Sequence, residues 1–231
     1  MTWRVGIVIP ARDEEERIGA CLSAVTAAVA RSGCPAITCV VADRCTDATA
    51  DQAGAAGADV VLVNHLPRHV GGVRNFGFRH VVSRLGAVGE RTWLLSTDAD
   101  TLVPPTWVLD HLRHAAAGAD AVAGAVDLDD PHALPPDALA RYTALVTRDV
   151  AGRTHGHAYA ANLGVRGSAY QRAGGFPAVA CGEEHALLVR LRRAGLHVVS
   201  PTAVRARTSA RRDGRARGGL ADLLQTLSRA C

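Results

Sequence analysis

Short apolar runs alternate, over the first hundred positions, with longer stretches whose apolar residues recur at helical spacing. Val5 to Pro10 is a β-rich run closed by proline, followed by the acidic Asp13-Glu14-Glu15-Glu16 and then Ile18, Leu22, Val25 and Val29. That reads as a strand, an acidic first helical turn suited to the helix dipole, and an amphipathic helix stopped by Gly33. A second strand, Ile37 to Ala42, leads into Asp43-Arg44-Cys45-Thr46-Asp47-Ala48-Thr49, where Thr46 or Asp47 can cap a helix through about Ala56. A third strand, Val60 to Val63, precedes a glycine-containing segment from Gly71 to Gly77 and a helix towards Leu85. Trp93 to Ser96 is then an apolar strand that ends in Asp98-Ala99-Asp100.

Strands separated by helical segments predict successive βαβ units, hence an α/β fold with a mostly parallel central sheet flanked by helices. Downstream, the pattern predicts helices over Trp107 to Ala117 and Pro136 to Val150, with a strand over Ala121 to Val126 between them. Gly156 to Arg166 reads as extended, and Ser168-Ala169-Tyr170 opens a short helix ended by Gly174-Gly175. Glu183 and Glu184 open a helix closed by Gly195; His197 to Ser200 is strand-like, and a last helix begins near Leu220.

Composition narrows the class. The 231 residues are 48% hydrophobic with a net charge of +4, and no Pro/Gly/Ser-rich linker divides them, which predicts one domain across 1–231. No apolar run reaches membrane-spanning length and no signal-peptide pattern opens the chain, so the expectation is a cytoplasmic protein. All the Lys+Arg charge is arginine, and the modest positive balance does not point to nucleic acid. Six scattered cysteines without a Cys-x-x-Cys pair read as free thiols. No G-x-G-x-x-G follows the first strand, and a chain without lysine has no Walker-type loop.

Ligands of open α/β sheets bind at the carboxyl ends of the strands, where Asp98 and Asp100 fall. Two carboxylates there suit a hard divalent cation that also grips phosphate oxygens; the alternative is a polar turn in which Asp98 caps the next segment. Glu183 and Glu184 likewise either complement a helix dipole or supply acid/base chemistry.

Taken in order, these stretches resemble a family-2 glycosyltransferase of the GT-A type. The likeness is carried by Val8-Ile9-Pro10-Ala11-Arg12-Asp13-Glu14-Glu15, by Val41-Ala42-Asp43-Arg44-Cys45-Thr46-Asp47-Ala48-Thr49, by Arg74-Asn75-x-Gly77, by the Asp-x-Asp, by Asn162 to Phe176 and by the Glu183-Glu184 pair. It implies inverting transfer of a sugar from a nucleotide diphosphate sugar to an acceptor hydroxyl, with Mn2+ or Mg2+ as cofactor. Residues 1–101 would be the donor half and 102–231 the acceptor half. By position, Asp43 would bond the base, Pro10, Ala11, Arg12 and Glu14 would pack at the nucleoside, and Arg74, Asp98 and Ala99 would complete the nucleotide site. Asp100, with Asp98, would hold the metal.

Two departures stand out. Glu184 falls where the family has an aspartate general base, so the role belongs to Glu184 or to Glu183. No histidine follows His197 to supply the late metal ligand, and Arg211, Arg212 and Arg215 occupy the equivalent stretch. Those arginines would hold the diphosphate bidentately or form a basic face for anionic lipid at the inner membrane surface. His157 and Asn162 are the acceptor candidates, with His155 beside them, and the acceptor itself is an unknown small or lipid-carried molecule. The rival readings are a non-catalytic nucleotide-sugar binder, a sugar nucleotidyltransferase, which needs a glycine-rich loop where Ala11-Arg12-Asp13-Glu14 stands, and a dehalogenase-type phosphatase, which needs Thr or Val where Leu102 stands.

Overall fold

The computed structural model describes residues 2–66, 68–86, 89–214 and 219–229. Its first part is built from β1 (Arg4–Ala11), α1 (Ile18–Ser32), β2 (Ala36–Asp43), α2 (Thr49–Ala55), β3 (Val60–Asn64), α3 (Val70–Leu85) and β4 (Thr92–Ser96). Strand periodicity sorts β1 between two cores: Val5, Ile7 and Ile9 face one side and Val8 the other. After β4 come β5 (Thr101–Leu102), α4 (Trp107–Ala116), β6 (Ala121–Ala123), β7 (Ala125–Leu128), α5 (Pro136–Arg148), and the hairpin β8 (Val150–Ala151) and β9 (Thr154–His155). The chain ends with β10 (Leu163–Arg166), α6 (Gly167–Arg172), α7 (Glu183–Arg193), β11 (Val198–Val199), β12 (Arg205–Thr208) and α8 (Leu220–Arg229).

The central sheet has seven strands in the order β11-β6-β10-β4-β1-β2-β3. All neighbours run parallel except β10, which is antiparallel to both β4 and β6. The α/β expectation therefore holds. One face buries Ile18, Leu22 and Val25 of α1 with Trp107, Val108 and Leu112 of α4. The other buries Phe78 and Val81 of α3, Tyr170 of α6 and Leu187, Leu188 and Leu191 of α7. Helix α3 lies close because Gly77 lets it: a Cβ there would stand 2.7 Å from Val8 and 2.9 Å from Val41. Because β1, β2 and β4 are parallel neighbours, Ala11, Asp43 and Asp98 emerge at one sheet edge.

Four local expectations are corrected. The acids Asp13 to Glu16 precede α1 instead of forming its first turn, since the helix starts at Ile18. Ala121 to Val126 is two strands broken at Gly124, and β7 leaves the main sheet for a small one ordered β5-β12-β7. Gly124 donates its N–H to Asn162 O, and its missing side chain leaves room for the Asn162 amide. Of Gly156 to Arg166 only Leu163–Arg166 is central-sheet strand, with a 3-10 turn at Ala160–Asn162. The arginine-rich stretch contains an unforeseen strand, β12, whose Arg205 and Arg207 point outward while Ala206 and Thr208 point inward.

Helix α5 and helix α8 close a third cluster through Leu134, Ala138, Tyr142, Ala210 and Leu224. No helix among the described residues is long and apolar enough to cross a membrane.

Candidate active site

The carboxyl edge of the sheet opens into a cavity of about 610 Å³ lined from both halves of the chain. From residues 1–101 it is lined by Pro10, Ala11, Arg12, Glu14, Asp43, Arg74, Asp98 and Ala99, all of which the sequence singled out. Asp100, Glu183, Glu184 and Arg211 also line it.

The loops that follow β1 and β2 are tied together by reciprocal hydrogen bonds. Asp13 Oδ1 accepts from Thr46 N at 2.7 Å, Asp47 Oδ2 from Glu15 N at 3.1 Å and Glu15 Oε2 from Ala48 N at 2.9 Å. Glu14 N donates to Thr49 Oγ1 at 2.7 Å, so the acidic run holds loop to loop instead of serving a helix dipole. Asp13, Cys45 and Asp47 are also spaced as three metal ligands, but these bonds already engage both carboxylates.

Arg74 organises the centre. It is 3% exposed, and its three guanidinium nitrogens donate to three different elements: Nε to Ser96 Oγ (3.0 Å), NH1 to Glu183 Oε1 (2.6 Å) and NH2 to Asp98 Oδ1 (2.5 Å). Such charge-assisted bonds are among the stronger ones in proteins. Glu183 is therefore buried and spoken for. Glu184, one residue on, faces the cavity with its pKa pushed up to about 7, by burial first and then by the neighbouring Glu183 carboxylate.

Asp100 sits deeper than Asp98. Thr208 Oγ1 donates to its Oδ1 at 3.3 Å and Arg211 pairs with its Oδ2 at 3.1 Å, while the same Arg211 nitrogen reaches Glu14 Oε1 at 2.5 Å. Burial, with the nearby Asp98 and Glu14 carboxylates, raises the Asp100 pKa to about 6 against the pull of Arg211. Glu14 and Asp100 thus share the Arg211 guanidinium, while Asp98 beside them pairs with Arg74. Carboxylate oxygens from Asp98, Asp100 and Glu14 line the same cavity, and hard oxygen donors are what a divalent cation prefers, so Asp98 and Asp100 fit one.

The acceptor candidates are placed elsewhere. Asn162 is fully buried: its Oδ1 accepts from Trp107 Nε1 (2.8 Å) and meets His111 Nε2 (3.0 Å), and its Nδ2 donates to Ala125 O and Val204 O. It joins the two sheets and cannot reach an acceptor. His157 lies outside the cavity lining; its Nε2 is 2.9 Å from Val146 O, and its ring lies between those of His155 and Tyr159. Arg212 lines a neighbouring hollow with Asp129, Asp130 and Asp213, and Arg215 lies outside the described residues. Of the three arginines, Arg211 alone is seen at the cavity.

Sequence reasoning missed Thr208, Tyr159, Arg44 and Arg68, which also line it. The Arg205-Ala206-Arg207-Thr208 alternation was a strand signal that would have placed Thr208 inward. Nothing local marks Tyr159 or Arg68. The position of Asn162 makes a sharp expectation: Asn162→Ala leaves the Trp107 indole N–H and two buried carbonyls without partners and costs about 2–5 kcal/mol in urea unfolding. A cost below about 1 kcal/mol would contradict this role.

The sequence profile described as glycosyl transferase family 2 matches residues 6–149, more than half of the chain. The chain belongs to glycosyl transferase family 2. Solved structures agree on the fold. A mannosyltransferase from Pyrobaculum calidifontis, determined with GDP-Man and Mn2+, superposes with a TM-score of 0.67 at 17% identity over 99% of this chain and 70% of that one. Residues 1–349 of S. aureus TarS, determined with UDP-GlcNAc, give 0.67 at 13% identity, covering 97% of this chain and 65% of that one. Glucosyl-3-phosphoglycerate synthase of Mycobacterium tuberculosis, with Mn2+, UDP and phosphoglyceric acid, gives 0.59 at 18% identity, over 98% and 75%. A search of curated proteins finds no match. This family-2 chain therefore has the GT-A fold, with the motifs from Val8 to Asp100 inside the matched segment and Glu184 and Arg211 beyond it.

Proposed function

We propose that the chain transfers a sugar from a nucleoside diphosphate sugar to an acceptor hydroxyl, inverting the anomeric carbon, with Glu184 as general base. In this reading it is one GT-A-type domain, in which residues 1–101 hold the donor and 102–231 the acceptor. The observation that carries the reading is the separation of the two glutamates. Glu183 is consumed by Arg74, whereas Glu184 faces the same cavity as Asp98 and Asp100 with its pKa near neutrality. A base with that pKa is ionised often enough at neutral pH to act and basic enough to accept a proton.

The chemistry is a single displacement. Glu184 takes the proton of the acceptor hydroxyl as its oxygen bonds to the anomeric carbon, and the bond to the diphosphate oxygen breaks on the opposite side. Negative charge grows on the leaving diphosphate, and in this reading Arg211, which lines the cavity, holds it. A divalent cation bound by Asp98 and Asp100 would neutralise that charge. Arg74 keeps Asp98 and Glu183 in place from behind.

The decisive experiment is a thermal-shift panel of nucleoside diphosphates and their sugars, with and without manganese, followed by measurement of nucleoside diphosphate release. Ligands that bind the native state raise its melting temperature by mass action. Binding without turnover in the presence of diverse hydroxyl acceptors would support the non-catalytic binder instead. In the same assay manganese or magnesium should strengthen nucleoside diphosphate binding, and Asp100→Ala should lose the metal-dependent part. Equal, metal-independent affinity in both proteins would mean that Arg211 holds the diphosphate alone.

A further inference from the structure

The side chain of Arg211 is engaged with Asp100, a carboxylate that a divalent cation would also use. We propose that Arg211 is an internal counter-ion that competes with the cation for Asp100 and gives the place up to it when a diphosphate enters the cavity; the release step rests on the donor reading above. A cation and a nucleoside diphosphate then bind strongly only together, and Arg211 is the residue that couples them.

The competition follows from charge. One nitrogen of Arg211, NH2, lies 3.1 Å from Asp100 Oδ2 and 2.5 Å from Glu14 Oε1. The other oxygen of Asp100 already accepts from Thr208 Oγ1. A carboxylate oxygen has a second lone pair, so geometry alone does not bar a metal. Like charges held against one carboxylate repel, however, and the Asp100 side chain is only 11% exposed, so water screens that repulsion poorly. Arg211 must leave Asp100 for a cation to bind there at full strength.

Arg211 has a reason to leave when phosphate arrives. Both of its ion pairs run through NH2, whereas NH1 is buried with no hydrogen-bond partner among the described residues. A buried N–H left without a partner is costly, and phosphate oxygens accept from two guanidinium nitrogens at once. The diphosphate therefore offers Arg211 a use for NH1 that Asp100 and Glu14 do not. The move is confined to the side chain. Ser209 N donates to Asp100 O at 3.2 Å and Arg211 N to Ser209 Oγ at 3.3 Å, so the backbone stays tied beside the Asp-x-Asp. Asp100, Ser209 and Arg211 line both the main cavity and a neighbouring hollow of about 540 Å³, so the guanidinium borders open space into which it can turn. Coupling of this kind is reciprocal: departure of the nucleoside diphosphate returns Arg211 to Asp100 and weakens the hold on the cation.

The test is titration of manganese alone into the full chain, with free Mn2+ followed by electron paramagnetic resonance, for the wild type, Arg211→Met and Arg211→Gln. The glutamine variant keeps a polar group beside Glu14 should the methionine variant fail to fold. Loss of the guanidinium should tighten manganese binding by about tenfold or more, and the gain should vanish in Arg211→Met with Asp100→Ala. A clamp that serves the diphosphate alone would leave manganese binding unchanged, and a residue that merely supports Asp100 would weaken it on removal; either result overturns the proposal, as does a gain that survives Asp100→Ala. The titrations are then repeated with saturating UDP or GDP. In the wild type the nucleotide should tighten manganese binding by about tenfold or more, and in Arg211→Met by less than about threefold. Equal tightening in both proteins would overturn the release step. If neither nucleotide binds any of the proteins, the donor reading and the release step fall together, while tighter manganese binding by Arg211→Met still upholds the competition for Asp100.

Discussion

Replacing Glu184 by glutamine is expected to lower turnover by about two orders of magnitude or more while donor binding stays near the wild-type value. Glutamine keeps the shape of the side chain and removes the proton acceptor. The pH profile supplies a second readout. Wild-type turnover should rise with pH through about 7, where Glu184 loses its proton, and that step should vanish from the residual activity of the variant. Stability should move the other way. Burial raises the folded-state pKa above the ordinary 4.5, so the folded protein binds more protons than the unfolded chain between 4.5 and about 7. The cost of ionising Glu184 is absent below that window and complete above it, so Glu184→Gln should gain on the wild type as pH rises to 8. Unchanged turnover would clear Glu184 of the role. Glu183→Gln, whose partner is Arg74, should instead perturb stability along with rate.

The second large effect concerns Arg74. Arg74→Met is expected to cost about 3–5 kcal/mol of unfolding free energy, because it strands a buried carboxylate. Glu183 is 4% exposed, and Arg74 NH1 is its partner at 2.6 Å. Ser96 and Asp98 lose donors at the same time, so the loop that carries the Asp-x-Asp loses its support. A double variant, Arg74→Met with Glu183→Leu, should recover part of the loss, since an apolar pair can replace a buried ion pair where a lone charge cannot. Denaturation of the three proteins in urea at one pH measures this directly. A single variant within about 1 kcal/mol of wild type would show that Arg74 does not hold the site together.

Much of the architecture was legible in the chain because it rests on local patterns. The apolar runs of β1, β2 and β4 and the helical spacing of Ile18, Leu22 and Val25 set layers and order. Once β1, β2 and β4 are parallel neighbours, the residues after them share an edge, so Asp43 and Asp98 could be placed together from sequence. The division of labour between Glu183 and Glu184 could not. Adjacent residues on a helix differ by about 100° in direction, and which of them meets Arg74 depends on how α7 packs against α3. Asn162 misled for a related reason. A polar residue in an apolar stretch looks like a ligand contact until its partners are known, and those partners lie at Trp107, His111, Ala125 and Val204. The arginine run was similarly open: the family resemblance and charge together suggested three candidates for the diphosphate, but the strand alternation of β12 carries Thr208 to Asp100 and brings Arg211 to the cavity, with Arg212 in the next hollow. Sequence by itself determined the layers, the sheet edge and the family of this protein. Tertiary packing alone decided which carboxylates and guanidinium groups remain at the cavity, because pairing between residues far apart in the chain leaves no periodic trace along it.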